Sequence, residues 1–338
     1  MTQNTTYSPD LVTEPRQSVD FLGRLRHMAG WHTLAPPLVF FAMLLVVGIF
    51  NSNYLGPLGI SIATASAAPI MLVALGQSMV LNIGSIDLSN AAISLFGAIL
   101  LALALPPMGV GALIGVLLLL TVIGAINGAI LAYTHVPSFA LTLGTLGILQ
   151  TAALVTSGSE TIYVTENREL VTSLYNTKML SIPLTFWLGV IVAVAYWVLL
   201  RLTVIGQTMT AIGKNESGAL LSALPTKRAK IVAFAISGFT GGLAGLVIVS
   251  QAGSASASGL GSALLLPGIA AALVGGTSIS GGLTNPLNII FGALTVAFVP
   301  IAIQAIGFSA QAQSLVYGVF IIVVVALTTT RTRGLVIK

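Results

Sequence analysis

The chain has 338 residues, of which 56% are hydrophobic and only 6% charged, where soluble domains carry roughly a quarter charged residues. A mean hydropathy of +1.03 excludes a soluble fold with one anchor and predicts a polytopic membrane protein. Cysteine is absent, which excludes disulfides, thiolate metal sites and cysteine nucleophiles.

The three histidines, His27, His32 and His135, are scattered and make no helix-spaced metal pair. Residues 1–33 are polar and of mixed charge, as in "EPRQSVDFLGRLRH". The apolar run from Leu34 comes too late for a secretory signal and lacks a small-residue cleavage site after it. It is expected to be a retained first span behind a cytoplasmic tail.

A bilayer-crossing helix needs roughly 17–25 mostly apolar residues. Ten windows qualify, near 34–50, 60–82, 89–105, 109–132, 138–156, 182–200, 229–250, 263–275, 286–306 and 311–328. The expected fold is an all-α polytopic bundle of about ten transmembrane helices over residues 34–330, with a short or broken eighth. An even count puts both termini, the 1–33 tail and a 331–338 tail, on one side.

The basic residues choose that side. With the N-terminus inside, Arg16, Arg24, Arg26, Arg201, Lys214, Lys227, Arg228, Lys230, Arg331, Arg333 and Lys338 face inward, and only Arg168 and Lys178 face outward. That asymmetry is the positive-inside pattern. It also accounts for the net charge of +5 through anionic lipid headgroups, with no nucleic acid as a partner.

Asp87 is the one charge in "MVLNIGSIDLSNAAISLFGAILLALAL", residues 79–105. An unpaired carboxylate in hydrocarbon costs several kcal/mol or more. The topology puts Asp87 at the inner junction of the second and third spans, clear of mid-membrane. There it and Ser89 suit two roles: a cap on the third helix, accepting backbone N–H groups, or part of a gate or of a contact with a partner.

Uncharged polar groups inside the spans are candidates for a solute pathway: Gln77, Asn82, Asn127, Thr142, Thr145, Gln150, Asn288 and Gln304. Hydrogen bonding between helices is the competing use of each. The Gly-x-x-x-Gly pairs Gly124/Gly128, Gly238/Gly242 and Gly241/Gly245 predict close helix packing within the chain, or else a dimer face.

Two connections stand out. Residues 157–181, with three acids, are expected to face outward. Residues 201–228 face inward and carry a short amphipathic pattern over Met209, Ile212, Leu220, Leu221 and Leu224, stopped by Pro225. Such a segment either docks in a groove of a soluble partner or lies on the membrane. "GQTMTAIGKNES" is not a phosphate loop: six residues separate Gly206 from Gly213, and Asn215 follows Lys214 where Ser or Thr should hold magnesium. "GGTSISGG", 275–282, has no preceding strand and no dinucleotide role. Without paired carboxylates or a Ser-His-Asp set, no catalytic residues and no enzyme activity are expected.

Three stretches resemble the ribose-type sugar permeases, the membrane subunits of ATP-binding-cassette importers. "GSIDLS" (84–89) is similar to a Gly-Gly-Ile-Asp-Leu-Ser element, and "IAAALVGGTSISGG" (269–282) to a late Gly-Gly-Thr-Ser element. "GQTMTAIGKNESGALLSALPTKRAK" (206–230) resembles the cytoplasmic coupling segment, with Gly206, Ala211, Gly213, Asn215, Glu216 and Ser222 in register. Ser85 stands where a glycine is usual, Leu220 where an arginine is, and Ala223 where a glycine is.

The resemblance spans about 60–330 and implies a type II-like importer permease of a bacterial inner membrane. It implies two membrane subunits, identical or paired with a close relative, and two cytoplasmic ATPase subunits receiving the coupling segments. It also implies a periplasmic or lipid-anchored binding protein delivering a small polar solute, most simply a pentose or hexose. ATP and magnesium would sit on the partners and no cofactor on this chain. Permeases for nucleosides and branched-chain amino acids share the superfamily. A self-sufficient secondary carrier or channel is the reading from a different class, though it would leave the long inner segment without a task.

Overall fold

The computed structural model describes residues 31–50, 52–134, 136–258 and 262–305, with isolated positions beyond. The tails 1–30 and 331–338, and nearly all of the 311–328 window, lie outside the described residues. In chain order the helices are α1 (Trp31–Phe50), α2 (Pro57–Asn82), α3 (Ser89–Met108), α4 (Val110–Tyr133), α5 (Ser138–Ser157), α6 (Glu169–Asn176), α7 (Leu184–Leu202), α8 (Val204–Lys214), α9 (Glu216–Leu221), α10 (Thr226–Ala252), α11 (Leu265–Val274) and α12 (Pro286–Ala305).

Seven of these, α2, α3, α4, α5, α7, α10 and α12, are long and apolar enough to cross a membrane. The chain is thus a multi-pass membrane protein, as its composition requires. Two more expected windows form shorter apolar helices, in α1 and α11. The eighth window is short as expected: α11 has ten residues, about 15 Å of helix, against a hydrocarbon core of roughly 30 Å. Gly275 and Gly276 follow it, and the chain turns through 277–285 before Pro286 starts α12.

The all-α expectation holds for the bundle and not for its connections. Four short strands occur among the described residues: β1 (Thr161–Tyr163), β2 (Lys178–Met179), β3 (Ile182–Pro183) and β4 (Ser254–Ser256). β1 pairs antiparallel with β4, Ile162 opposite Ala255, and β2 pairs with β3. Residues 157–181, expected as a loop, are therefore tied down. Asn167 Nδ2 also donates to Leu105 O and Pro106 O, both at 3.1 Å, which satisfies carbonyls at the end of α3.

The centre of the bundle is α10, packed against α2, α3, α4 and α6. Its glycines explain the fit. A Cβ on Gly124 would lie 2.2 Å from Phe234 O, and one on Gly238 would lie 2.3 Å from Leu120 O. A Cβ on Gly245 would lie 2.6 Å from Ser94 O. The Gly-x-x-x-Gly pairs serve contacts inside the chain, where backbone approach replaces the missing hydrophobic drive between helices in lipid. On the far side of α12, Phe40 of α1 meets Phe298 edge-on, ring centres 5.8 Å apart.

α10 also separates the two notable connections. Its N-terminal end meets α8 and α9, and Lys230 pairs with Glu216 at 2.5 Å. Its C-terminal end carries β4 and the β1 partner strand, with Val164 N donating to Gly253 O. A helix of 27 residues is about 40 Å long, so residues 157–181 and 201–228 lie at opposite ends of the bundle.

Candidate functional site

The segment 201–228 reads as one amphipathic stretch in the sequence, and in the structure it is two helices. Thr203 caps α8, accepting from Gly206 N at 3.1 Å, and Asn215 caps α9, accepting from Gly218 N at 3.0 Å. Asn215 leaves the helical region, with φ −162° and ψ 100°, so the chain turns there. Its short carboxamide suits it to that position. The apolar set divides accordingly: Met209 and Ile212 are buried, whereas Leu220 and Leu221 are exposed, Leu221 by 88%. Gly206–Lys214 is helical throughout.

The six expected coupling residues divide as well. Gly206 is buried: a Cβ there would lie 2.2 Å from Leu199 O of α7. Ala211 and Gly213 are half-buried. Asn215, Glu216 and Ser222 are exposed around α9. The outward surface of this segment is therefore α9 and its flanks, and α8 is the element that joins α9 to the bundle.

That join is a backbone junction of all three family-like stretches. A Cβ on Gly213 would stand 1.9 Å from Asn82 O and 2.2 Å from Gly282 N. Gly282 N donates to Asn82 O at 2.9 Å. Gly281, at φ +87°, lies so close that a Cβ would come within 2.8 Å of both Gly213 Cα and Gly84 N. Only glycine fits these positions, for close approach at Gly213 and for both approach and left-handed backbone at Gly281. Asn82 adds a side-chain bond, donating to Thr210 Oγ1 at 3.2 Å.

From this junction the connector 83–88 runs into the bundle. Ile86 N donates to Ser138 Oγ and Leu88 N to Thr142 Oγ1, each at 3.0 Å, so α5 holds the connector's backbone. Asp87 follows, fully buried. Its Oδ1 accepts from Ser89 N at 2.9 Å and Ser89 Oγ at 2.5 Å, and its Oδ2 accepts from Ser237 Oγ at 2.7 Å. Ser89 is the first residue of α3, so the bond from its N lies at the helix start.

The depth is not as expected. Ser237 is eleven residues beyond Thr226, about 16 Å along α10 and about 22 Å short of its other end. Asp87 is thus level with the middle of α10 rather than at an edge. The carboxylate tolerates this because donors surround it. Asn127 Nδ2 donates to Ser89 Oγ at 3.1 Å, and Thr145 Oγ1 donates to Asn127 Oδ1 at 2.8 Å. Asn90 Nδ2 donates to Ser237 O and Oγ, both at 2.6 Å. Since both serine hydroxyls accept from amides, their hydrogens are free to point at the carboxylate, an acceptor-only group.

Asn127, Thr142 and Thr145, expected candidates for the pathway, are therefore spent on helix-to-helix bonds around Asp87 and its connector. Asn82 is part of the junction. Gln77 is buried on α2 and its Nε2 meets no partner among the described residues. Gln150 is half-buried on α5. Asn288 is buried near the start of α12, and the Gln304 side chain lies outside the described residues. Sequence reasoning missed Asn90 and Ser237. The only signal for Ser237 was a hydroxyl at the head of "SGFTGGLAGL", where the glycines drew the attention. No group of His, Cys, Asp and Glu among the described residues could hold a metal.

The described residues form a helical membrane bundle with an outward helix linked to its interior. Residues 59–325 match the family model described as branched-chain amino acid transport system / permease component, and the chain belongs to that family. It is a permease subunit of an ABC importer of the ribose type.

The ribose import permease protein RbsC of Haemophilus influenzae is 31% identical over 84% of this chain and 88% of its own length. The autoinducer 2 import system permease protein LsrD of Photorhabdus temperata is 30% identical over 88% and 90%. The L-arabinose ABC transporter permease protein AraH of Azospirillum brasilense is 27% identical over 94% and 91%. No solved structure matches.

Proposed function

We propose that this permease forms the membrane path for a neutral monosaccharide, a pentose or hexose, in the inner membrane of a bacterium. Two copies, or one copy with a close relative, enclose the path, each with about ten spans and both termini in the cytoplasm. ATPase subunits, which hold the ATP and magnesium, dock on α9 and its flanks, with Asn215, Glu216 and Ser222 at the contact. A periplasmic or lipid-anchored binding protein meets the opposite end, around residues 157–181.

The observation that carries the reading is the exposed α9, whose Leu220 and Leu221 have no cover among the described residues. It is fixed through α8 to a junction of backbone atoms. An apolar helix end at a basic surface suits a groove in a soluble partner, and a rigid mount lets that partner's movement reach the spans. The sugar rests on the relatives named for ribose and L-arabinose and on the scarcity of charge inside the bundle, since amides and hydroxyls suit a neutral polyol. Gln77 is the best pathway candidate, because its buried amide has a donor to offer.

The test is uptake of labelled ribose into proteoliposomes holding the purified complex, with binding protein outside and ATP inside. Unlabelled arabinose and leucine serve as competitors. ATP-dependent uptake blocked by a pentose is the expected result. Uptake by this subunit without any ATPase would overturn the reading in favour of a secondary carrier, and competition by leucine alone would move the solute to the branched-chain amino acids.

Sidedness is checked separately. Glu160 and Ser222 are exposed at opposite ends of the bundle, and the native chain has no cysteine. Glu160→Cys is expected to react with an impermeant maleimide from the periplasmic side, and Ser222→Cys only after the membrane is opened. Labelling of both from outside would refute the orientation.

A further inference from the structure

Connector 83–88 touches every part that a coupling movement would have to link. At its start, Asn82 O and Gly84 are clamped by α8 and the 281–282 turn. Along its length, α5 holds Ile86 N and Leu88 N through Ser138 and Thr142. At its end, Asp87 joins the head of α3 to Ser237 at the middle of α10, 150 residues from Asp87 in the chain. Asp87 is also the only charged side chain fully buried among the described residues. A helix cap needs none of this: the bond from Ser89 N would cap α3 without a link to α10, and a hydroxyl in place of Asp87 would do the same.

We infer that Asp87 is a positioning residue for transport, which locks connector 83–88 to α10 so that displacement of α8 by a docked partner moves α3, α5 and α10 together. The inference rests on the proposed docking at α9. The path from α8 to α10 is short: backbone contacts at the junction, then the short, buried side chains of Asp87 and Ser237. Charge-assisted bonds are shorter and stronger than neutral ones, which is what a repeatedly loaded joint requires. The amides behind the two serines, Asn90 and Asn127, keep the donors aimed at the carboxylate between strokes.

The test compares the full complex with Asp87→Asn and Ser237→Ala permeases, and with Gly115→Ala as control, since a Cβ at Gly115 meets nothing within 4 Å. Ser237→Ala removes the Asp87 link to α10 and the Asn90 bond to Ser237 Oγ, but leaves Asn90 its bond to Ser237 O and Asp87 both of its bonds from Ser89, so it is expected to fold even where Asp87→Asn does not. Two quantities are read on the same proteoliposomes: solute accumulated per ATP hydrolysed, and ATPase subunits retained per permease.

Both variants are expected to retain their ATPase subunits and basal hydrolysis, with solute moved per ATP lower by about tenfold. The control is expected to match the native chain. A purely structural Asp87 predicts fewer folded complexes with the native ratio in each, and that outcome for Ser237→Ala overturns the inference. If the native complex itself moves no solute with ATP, the proposed function fails first, and the inference with it.

Discussion

Gly213→Ala is expected to abolish uptake although it adds a single methyl group. The added carbon would stand 1.9 Å from Asn82 O and 2.2 Å from Gly282 N. Ordinary contact begins at 3.4 Å, so α8 has to move off the junction by roughly 1.5 Å. Neither neighbour can yield by turning a side chain, because both are backbone atoms joined by the Gly282 N to Asn82 O bond. The resemblance places Gly213 in a coupling segment, where added bulk would act on a partner. The structure assigns the same loss to the chain's own interior.

The two causes are separable by measurement. Uptake is expected to fall to background while ATPase subunits still co-purify, because α9 and its exposed leucines are unchanged. Native uptake by Gly213→Ala would refute the junction as described. Loss of the ATPase subunits with native permease stability would return Gly213 to the partner surface.

The second large effect is on folding itself. Gly124→Leu is expected to destabilise the permease severely, seen as loss of monodisperse protein in detergent and a lower thermal midpoint. At this position a Cβ would lie 2.2 Å from Phe234 O and 3.0 Å from Gly238 Cα, so α4 must leave the central helix. Overpacking costs typically about 1–3 kcal/mol where side chains can yield, and here the obstacle is backbone. Gly144→Leu on α5, where a Cβ meets nothing within 4 Å, controls for the loss of helix glycine and is expected to be tolerated. Equal stability of the two variants would assign the Gly124 face to something other than α4–α10 packing.

The bundle was legible because lipid leaves a helix few choices. A run such as 109–132 must satisfy its backbone internally, so its place as α4 (Val110–Tyr133) follows from hydropathy alone. The short eighth window was legible for the same reason. The strands were not. β1 and β4 have three residues each, too few for a periodic signal, and they pair across a separation of some ninety residues that only the fold closes.

The site was legible in part. Its three stretches could be singled out in the sequence, and Asp87 drew notice because a charge beside apolar runs demands an explanation. That the stretches meet at Gly84, Gly213 and Gly281 was not visible, since no local pattern records a contact between residues so far apart in the chain. Asn127, Thr142 and Thr145 looked like pathway groups because a hydroxyl or amide in a span reads the same whether it faces a cavity or a neighbouring helix.

What the sequence by itself determined is the chemistry available: a polytopic helical chain, one acid beside the second and third spans, glycine where helices must approach, and an amphipathic segment among basic residues. What only the tertiary structure decided is the depth of Asp87, its bond to Ser237, and the clamp of α8 on Asn82 and Gly282. Hydropathy fixes which residues leave water, since transfer energy belongs to each residue. Hydrogen bonds between helices and contact between backbones belong to pairs, and pairs exist only once the chain has folded.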